Sequence, residues 1–172
     1  MSALPEVVDA WRMVNARRVF EGRLPLAALP RLSESLFDSD GAADFRIEFG
    51  RDEFGVAFAD LRVEAALPLT CQRTLERFEL PIRVEQRIGL IRSERDEASL
   101  PPGYEPVLLP EDARLNPAEL IEDELILAVP VVPVKPGTEA IEARWVEVEE
   151  ETEDERPSPF AALSALRSSG KA

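Results

Sequence analysis

Histidine is absent from the chain, and its 172 residues include only one cysteine. Imidazole and thiolate groups are the usual ligands of zinc, copper and non-haem iron, so no metal site within one chain is expected. The absence of histidine also excludes Ser-His-Asp and Cys-His catalysis. One cysteine cannot form an internal disulfide, and no charged-then-apolar leader precedes the chain, so we expect a cytoplasmic protein.

Long hydrophobic runs are also absent. No apolar stretch approaches the roughly 18 to 20 residues that a membrane span needs, so no membrane partner is expected. The sequence contains no Gly-rich phosphate loop, Walker sequence or G-x-S-x-G elbow. Because no catalytic constellation is found, an enzyme is the least favoured class, and neither a cofactor nor a small-molecule substrate is expected.

Acidic residues dominate the charged residues, with 34 aspartates and glutamates against 20 lysines and arginines, a net charge of -14. The densest run is EVEEETEDE, residues 147–155. Such close like charges are typical of a solvated, disordered linker. A sharper interpretation is an acidic arm that attracts a basic partner over a long range. Nucleic acid is itself a polyanion and is disfavoured as a ligand of this arm.

Apolar periodicity predicts a mixed α+β fold. Residues 5–16, PEVVDAWRMVNA, have the period of an amphipathic helix, and residues 17–26 are predicted to form a strand that stops near Pro25. A second helix is expected over residues 26–37, with Pro30 either at its start or at a kink.

The middle of the chain alternates apolar and charged side chains, which predicts an antiparallel sheet, either open or closed into a barrel-like form. The alternation is clear in DFRIEFG, residues 44–50. Over residues 54–70 the bulky side chains move from even to odd positions, which predicts a bulge or a bend near Ala59 and Asp60. Helices are expected to flank this sheet.

The cysteine, Cys71, lies in a four-residue link between two predicted strands, within the usual length of a hairpin connection. A hairpin tip with two cysteines would suit a zinc knuckle, but Thr74 stands where the second is needed. A reactive thiol needs an identifiable electropositive site, and only Arg73 and Arg77 are close in sequence. We therefore interpret Cys71 as a packing residue.

The strand after this link places three arginines on one face, Arg77, Arg83 and Arg87. A row of arginines on a sheet can contact RNA phosphates. Glu79 and Glu85 share the face, so cross-strand pairing is the alternative and the favoured interpretation.

The best helix prediction is NPAELIEDELILAV, residues 116–129. Asn116 suits the N-cap, Pro117 suits the first position, and Pro130 ends the helix. The helix carries an acidic triplet, Glu122, Asp123 and Glu124. Three consecutive residues splay around a helix, so we expect a solvated face instead of an acid–base pair or a cation site.

Three stretches resemble the YceD family of bacterial and chloroplast proteins. LTCQRTLERF is similar to the family's Leu-x-Cys-x-Arg-Cys pattern with a following Phe, and this assigns Cys71, Gln72 and Arg73 to a family motif. LIEDELILAVPVVP is similar to Glu-x-x-Leu-Leu-Ala-x-Pro-x-x-Pro. This second motif comprises the acidic triplet, Pro130 and Pro133. SPFAALSALR resembles the closing Asn-Pro-Phe segment.

The resemblance implies a role in large-subunit ribosomal RNA accumulation or processing, without an established enzymatic activity. Thr74 replaces the second family cysteine, so no zinc role carries over to this chain. In the closing segment, Ser158 and Pro159 can start a short helix. Its apolar face would comprise Phe160, Leu163 and Leu166. This helix either docks on its own domain or binds a groove on a partner.

Three parts are predicted along the chain: one α+β domain over residues 1–135, an acidic disordered linker over 136–157 and a short amphipathic segment over 158–172. We expect a non-enzymatic adaptor that holds a basic ribosomal protein or assembly factor of the large subunit. Direct rRNA binding through the strand arginines is the alternative.

Overall fold

The structure, a computed structural model, describes residues 4–138. The elements below belong to one compact unit, Met1–Lys135. Residues 139–157 of the predicted linker lie outside the described residues. The predicted closing helix, with Pro159, Phe160, Leu163 and Leu166, lies outside them as well.

A five-stranded sheet of order β2-β3-β4-β5-β6 forms one layer of the fold. Its strands are β2 Val19–Pro25, β3 Ala42–Arg51, β4 Ala57–Thr70, β5 Arg77–Ile91 and β6 Tyr104–Leu108. Strands β2 to β5 pair antiparallel, and β6 is added parallel to β5. Within residues 4–138 the outer strands β2 and β6 do not pair with each other. The predicted α+β class is confirmed, and the barrel-like alternative is wrong.

Three short helices accompany the sheet: α1 Ala10–Asn15, α2 Pro30–Ser33 and α3 Pro117–Ala128. Turns of 3₁₀ helix lie at Leu26–Ala28 and Glu94–Ser99. A small antiparallel pair joins β1 Val8–Asp9 to β7 Arg114–Leu115. Among residues 4–138, no helix has the length and hydropathy that crossing a membrane requires.

Helix α1 begins at Ala10, later than the expected start at residue 5, because Val8 and Asp9 pair with β7. Asp9 then caps the helix, accepting a hydrogen bond from the Arg12 N–H at 2.9 Å. Pro30 begins α2, which is one of the two predicted alternatives.

The core lies between one face of the sheet and the helices. Helix α1 packs on β3 and β4, while α3 packs on β4 and β5. The fully buried side chains of this core include Leu26, Leu29, Leu32, Ile47, Leu61, Ile88, Ile121 and Leu125. The opposite face of the sheet carries the charged residues of the alternating pattern.

The predicted bulge in β4 is wrong, because its register is continuous from Arg51↔Ala57 to Ala43↔Ala65 against β3. Odd-numbered residues of β4 face the core throughout its length. The apparent change of phase arises from Phe58, which lies on the outer face with the Arg87 guanidinium 4.7 Å from its ring centroid. Gly50 makes room for this ring, since a Cβ there would lie 2.8 Å from the Phe58 Cζ.

Two leucines of α3 provide a matched test of this packing. Leu125 is fully buried, whereas Leu127 is 77% exposed. We expect Leu125→Ala to lower the free energy of unfolding by about 3 kcal/mol, since a cavity is left in the core. Leu127→Ala should change it by less than about 0.5 kcal/mol. Urea unfolding measures both, and equal losses would contradict the assigned face of α3.

Candidate functional site

Glu122 is the first residue of the acidic triplet, and only 3% of it is exposed. Its Oε1 accepts hydrogen bonds from the backbone N–H of Arg31 at 2.7 Å and of Leu32 at 3.1 Å. Its Oε2 accepts from the Arg31 Nε at 3.0 Å. The prediction of a solvated triplet is therefore wrong for Glu122.

The physical reason is the start of α2. Leu29 stands at its N-cap position and has no side-chain acceptor for the first N–H groups of the helix. A carboxylate from α3 takes that place, and its negative charge also suits the helix N-terminus. Glu122 is thus a cap contributed by another helix, which the sequence pattern of α3 does not reveal.

The other two members of the triplet have different surroundings. Asp123 is exposed and pairs with the Arg31 Nη1 at 2.7 Å. Burial, with Glu105 and Asp123 nearby, raises the pKa of Glu124. The three carboxylates therefore do not share one site. Across residues 4–138, no three His, Cys, Asp or Glu side chains are grouped so as to hold a metal ion.

The structure brings the two family motifs into contact at one end of the sheet, called here the hairpin end. The link between β4 and β5 spans residues 71–76, longer than the predicted four residues, because β5 begins at Arg77. The Gln72 N–H donates to the Pro133 carbonyl oxygen at 2.8 Å. Two positions later, the Lys135 N–H donates to the Cys71 Sγ at 3.4 Å. The chain leaving α3 is thus attached to the hairpin.

Cys71 has no exposed surface. The Lys135 N–H, followed by the Thr74 hydroxyl, lowers the pKa of this thiol from its ordinary 9.0 to about 6, although burial acts in the opposite direction. The sulfur is therefore an acceptor that joins the hairpin to the segment after α3. Lys135 adds an ion pair to Glu76 at 3.3 Å.

Exposed apolar side chains surround this contact. Leu75, in the hairpin link, is 73% exposed, and Val131 and Val132, just before Pro133, are 99% and 61% exposed. Leu75 also has a φ of 59°, a left-handed conformation that bulky residues seldom adopt. Sequence reasoning did not identify these residues.

The three predicted RNA-contacting arginines lie on the outer face of the sheet, and each pairs with a carboxylate. The Arg77 Nε lies 2.7 Å from the Asp38 Oδ2, and the Arg83 Nη2 lies 2.6 Å from a Glu85 oxygen. Arg87 donates from two nitrogens to both oxygens of Asp60, each at 2.6 Å. The favoured alternative, cross-strand pairing, describes Arg87 with Asp60 and Arg83, which also lies 3.3 Å from Glu64 of β4. The partner of Arg77, Asp38, instead precedes β3. An RNA phosphate would have to displace a carboxylate at each arginine.

The outer face as a whole is close to electrical neutrality. Its acidic residues on β2 to β5 are Glu21, Asp44, Glu48, Asp60, Glu64, Glu79 and Glu85. Its basic residues are Arg23, Arg46, Arg62, Arg77, Arg83 and Arg87. Such a face has little attraction for a polyanion.

These contacts define the protein as an open α+β scaffold. Two motif segments are joined at one end of its sheet. A family model described as "Large ribosomal RNA subunit accumulation protein YceD" matches residues 59–167. The chain belongs to this family, which confirms the resemblance. It is 29% identical over 168 residues to the Large ribosomal RNA subunit accumulation protein YceD of Haemophilus influenzae, covering 95% of this chain and 96% of that protein. No solved structure matches the chain.

Glu122 should be the costliest carboxylate of the triplet to remove. Glu122→Ala leaves the first N–H groups of α2 without an acceptor, so we expect a loss of about 2 to 3 kcal/mol in the free energy of unfolding. Asp123→Ala removes an exposed ion pair to the same arginine and should cost less than about 1 kcal/mol. Urea unfolding compares the two variants, and an equal cost would show that Glu122 does not act as the cap.

The lowered pKa of Cys71 predicts a pH-dependent stability. Between about pH 6 and 9.0 the unfolded chain retains the thiol proton that the folded protein has released. The free energy of unfolding should therefore rise with pH in this window, and the contribution is lost as pH falls through about 6. Cys71→Ala should not show this rise. Unfolding curves measured across the window test it, and parallel curves for both proteins would contradict it.

Proposed function

We propose that this protein is a non-enzymatic factor in biogenesis of the large ribosomal subunit, which promotes accumulation of large-subunit rRNA by binding a basic ribosomal protein or assembly factor. The family description and the curated relative, matched over nearly the full length of both chains, support the biological role. The family is named for accumulation of an RNA and not for a reaction.

The observation that carries the binding proposal is the hairpin end. There the two family motifs meet through the Gln72–Pro133 hydrogen bond, and exposed apolar side chains lie beside this contact. Leu75 is a large apolar residue with an exposed side chain and a left-handed backbone conformation. Such a residue does not stabilise the fold. Exposed apolar groups next to a polar rim are typical of protein–protein contact surfaces.

Charge supports a basic partner. The net charge of -14 and the acidic run at residues 147–155 favour a partner rich in lysine and arginine. Proteins that enter a ribosome must themselves neutralise RNA phosphates, so they carry such charge. An acidic factor could hold one of them until rRNA takes over.

The surroundings of the titratable groups support binding over catalysis. Glu122 caps a helix, Asp60 holds Arg87, and the carboxylates of the triplet face different neighbours. A general acid and base would need two such groups near one reacting atom. Direct RNA binding through the strand arginines is the less favoured alternative, because their carboxylate partners compete with phosphate.

The test uses a strain that lacks this protein and is complemented with full-length variants. We expect Leu75→Ser combined with Val131→Ser to reduce large-subunit rRNA toward the level of the deletion strain. Replacing the glutamates of residues 147–155 by glutamine should have the same effect. Val7→Ser is the matched control, since Val7 is also an exposed apolar residue. It should restore accumulation fully.

Two measurements decide the outcome. Sucrose gradients report the ratio of large to small subunits, and affinity purification at two salt concentrations identifies basic large-subunit proteins that the variants no longer retain. An unchanged melting temperature shows that each variant is folded. Full complementation by both the apolar and the glutamine variants would refute the adaptor proposal.

A further inference from the structure

The far end of the sheet, where β4 begins and β5 ends, has a different chemical character from the hairpin end. Strands β4 and β5 contain 14 and 15 residues. At about 3.3 Å per residue, they separate the two ends by roughly 45 Å. Helix α1, the turn after β3 and the 3₁₀ turn Glu94–Ser99 come together at this far end.

Trp11 and Arg92 form the centre of the far end. The Arg92 guanidinium carbon lies 4.5 Å from the centroid of the Trp11 ring. Two hollows, each of about 330 Å³, lie beside this pair and include both residues in their walls. The first hollow is also lined by Arg51, Leu90, Asp96 and Leu100. The first hollow therefore combines apolar walls with two arginines and one aspartate.

Arginines at this end lack the carboxylate partners that Arg77, Arg83 and Arg87 have on the outer sheet face, where Arg23 and Arg62 form no ion pair with a residue of the range 4–138 either. Six exposed arginines at this end form no ion pair with any residue in the described range 4–138: Arg12, Arg17, Arg18, Arg51, Arg92 and Arg95. The Phe49 N–H donates to the Arg18 carbonyl oxygen at 2.9 Å, which places the chain after α1 beside the end of β3. These cations are therefore available to an anionic ligand.

Two of the nearby carboxylates, Asp52 and Asp96, are engaged with donors of the chain, while Glu53, Glu94 and Glu97 of the same turns are exposed. Asp52 accepts from the Tyr104 hydroxyl and from two backbone N–H groups of its own turn at 2.8 to 2.9 Å. Asp96, in the first hollow, accepts from the Ser93 N–H at 3.1 Å. Glu111 lines the second hollow and disfavours an anion there. A phosphate therefore fits the first hollow, beside Arg51 and Arg92.

We infer that the far end binds a short segment of single-stranded RNA, with a base stacked at Trp11 and Arg92 and phosphates beside Arg51 and the arginines of residues 12–18. Aromatic and guanidinium planes stack on unpaired bases, and arginines follow the backbone of a single strand. The choice of RNA rests on the proposed function. This site differs from the strand row of Arg77, Arg83 and Arg87, whose charges are already paired.

Two binding ends explain how an acidic protein can serve rRNA. The hairpin end holds a basic protein, while the far end holds an RNA strand about 45 Å away along the sheet. One molecule then brings the protein and its RNA site together.

The experiment measures fluorescence anisotropy of a short fluorescein-labelled single-stranded oligoribonucleotide with the full-length protein, at low and physiological salt. We expect Arg92→Ala and Arg51→Ala each to weaken binding about tenfold, since one stacked base or one phosphate contact is lost. The slope of log affinity against log salt should fall by about 0.7 for a lost phosphate contact. Arg83→Ala is the matched control and should bind as the wild type does.

A second variant removes a charge without damage to the fold. Arg17 follows α1 with a φ of 47°, a conformation that glycine adopts more readily. Arg17→Gly should therefore keep or raise the melting temperature while weakening RNA binding. A Trp145→Phe background leaves Trp11 as the sole tryptophan. Its fluorescence should change when RNA binds.

Three results would overturn the inference: no binding at low salt, a loss in Arg83→Ala as large as in Arg92→Ala, or equal affinity for a duplex of the same length. If binding fails while the deletion strain still lacks large-subunit rRNA, only the RNA site is refuted. If Arg92→Ala and Arg51→Ala weaken binding but the deletion strain accumulates rRNA normally, the site is supported and the proposed function is refuted.

Discussion

The carboxylate of Glu122 is the contact on which the arrangement of this protein depends. It joins two helices that are 91 residues apart in sequence, through backbone and guanidinium hydrogen bonds to Arg31. Since α2 has a leucine at its N-cap, the helix start needs this carboxylate. With α3 held in place, the chain that follows reaches the hairpin. There the Pro133 carbonyl oxygen accepts a hydrogen bond from the Gln72 N–H, and the Lys135 N–H donates one to the Cys71 Sγ.

The sheet between the two ends acts as a scaffold. Its inner face forms the core, and its outer face neutralises its own charges through pairs such as Arg87 with Asp60. The hairpin end carries the exposed apolar side chains Leu75, Val131 and Val132, and the far end carries arginines around Trp11 that form no ion pair within residues 4–138. Binding surfaces at opposite ends of a rigid element suit a protein that holds two partners.

Local patterns predicted the local features of this fold. The alternation of apolar and charged residues predicted which side chains of β3 and β5 face the core. The pair Asn116 and Pro117 predicted the start of α3. There the Asn116 Oδ1 accepts a hydrogen bond from the Ala118 N–H at 3.0 Å. The burial of Glu122 was missed because its partners lie on another helix. The outward Phe58 was misread as a bulge, since period alone cannot show an aromatic ring beneath a cross-strand arginine. The family motifs indicated which segments matter but not that they touch.

The most direct measurement is site-specific photo-crosslinking in cells, with a photoreactive amino acid placed at either end of the sheet. At position 75, we expect capture of a basic protein of the large subunit or its assembly pathway. At position 17, we expect capture of large-subunit rRNA. Capture of the same partner at both positions, or of no large-subunit component at either, would contradict this account. The account requires that the protein binds a protein at one end and RNA at the other.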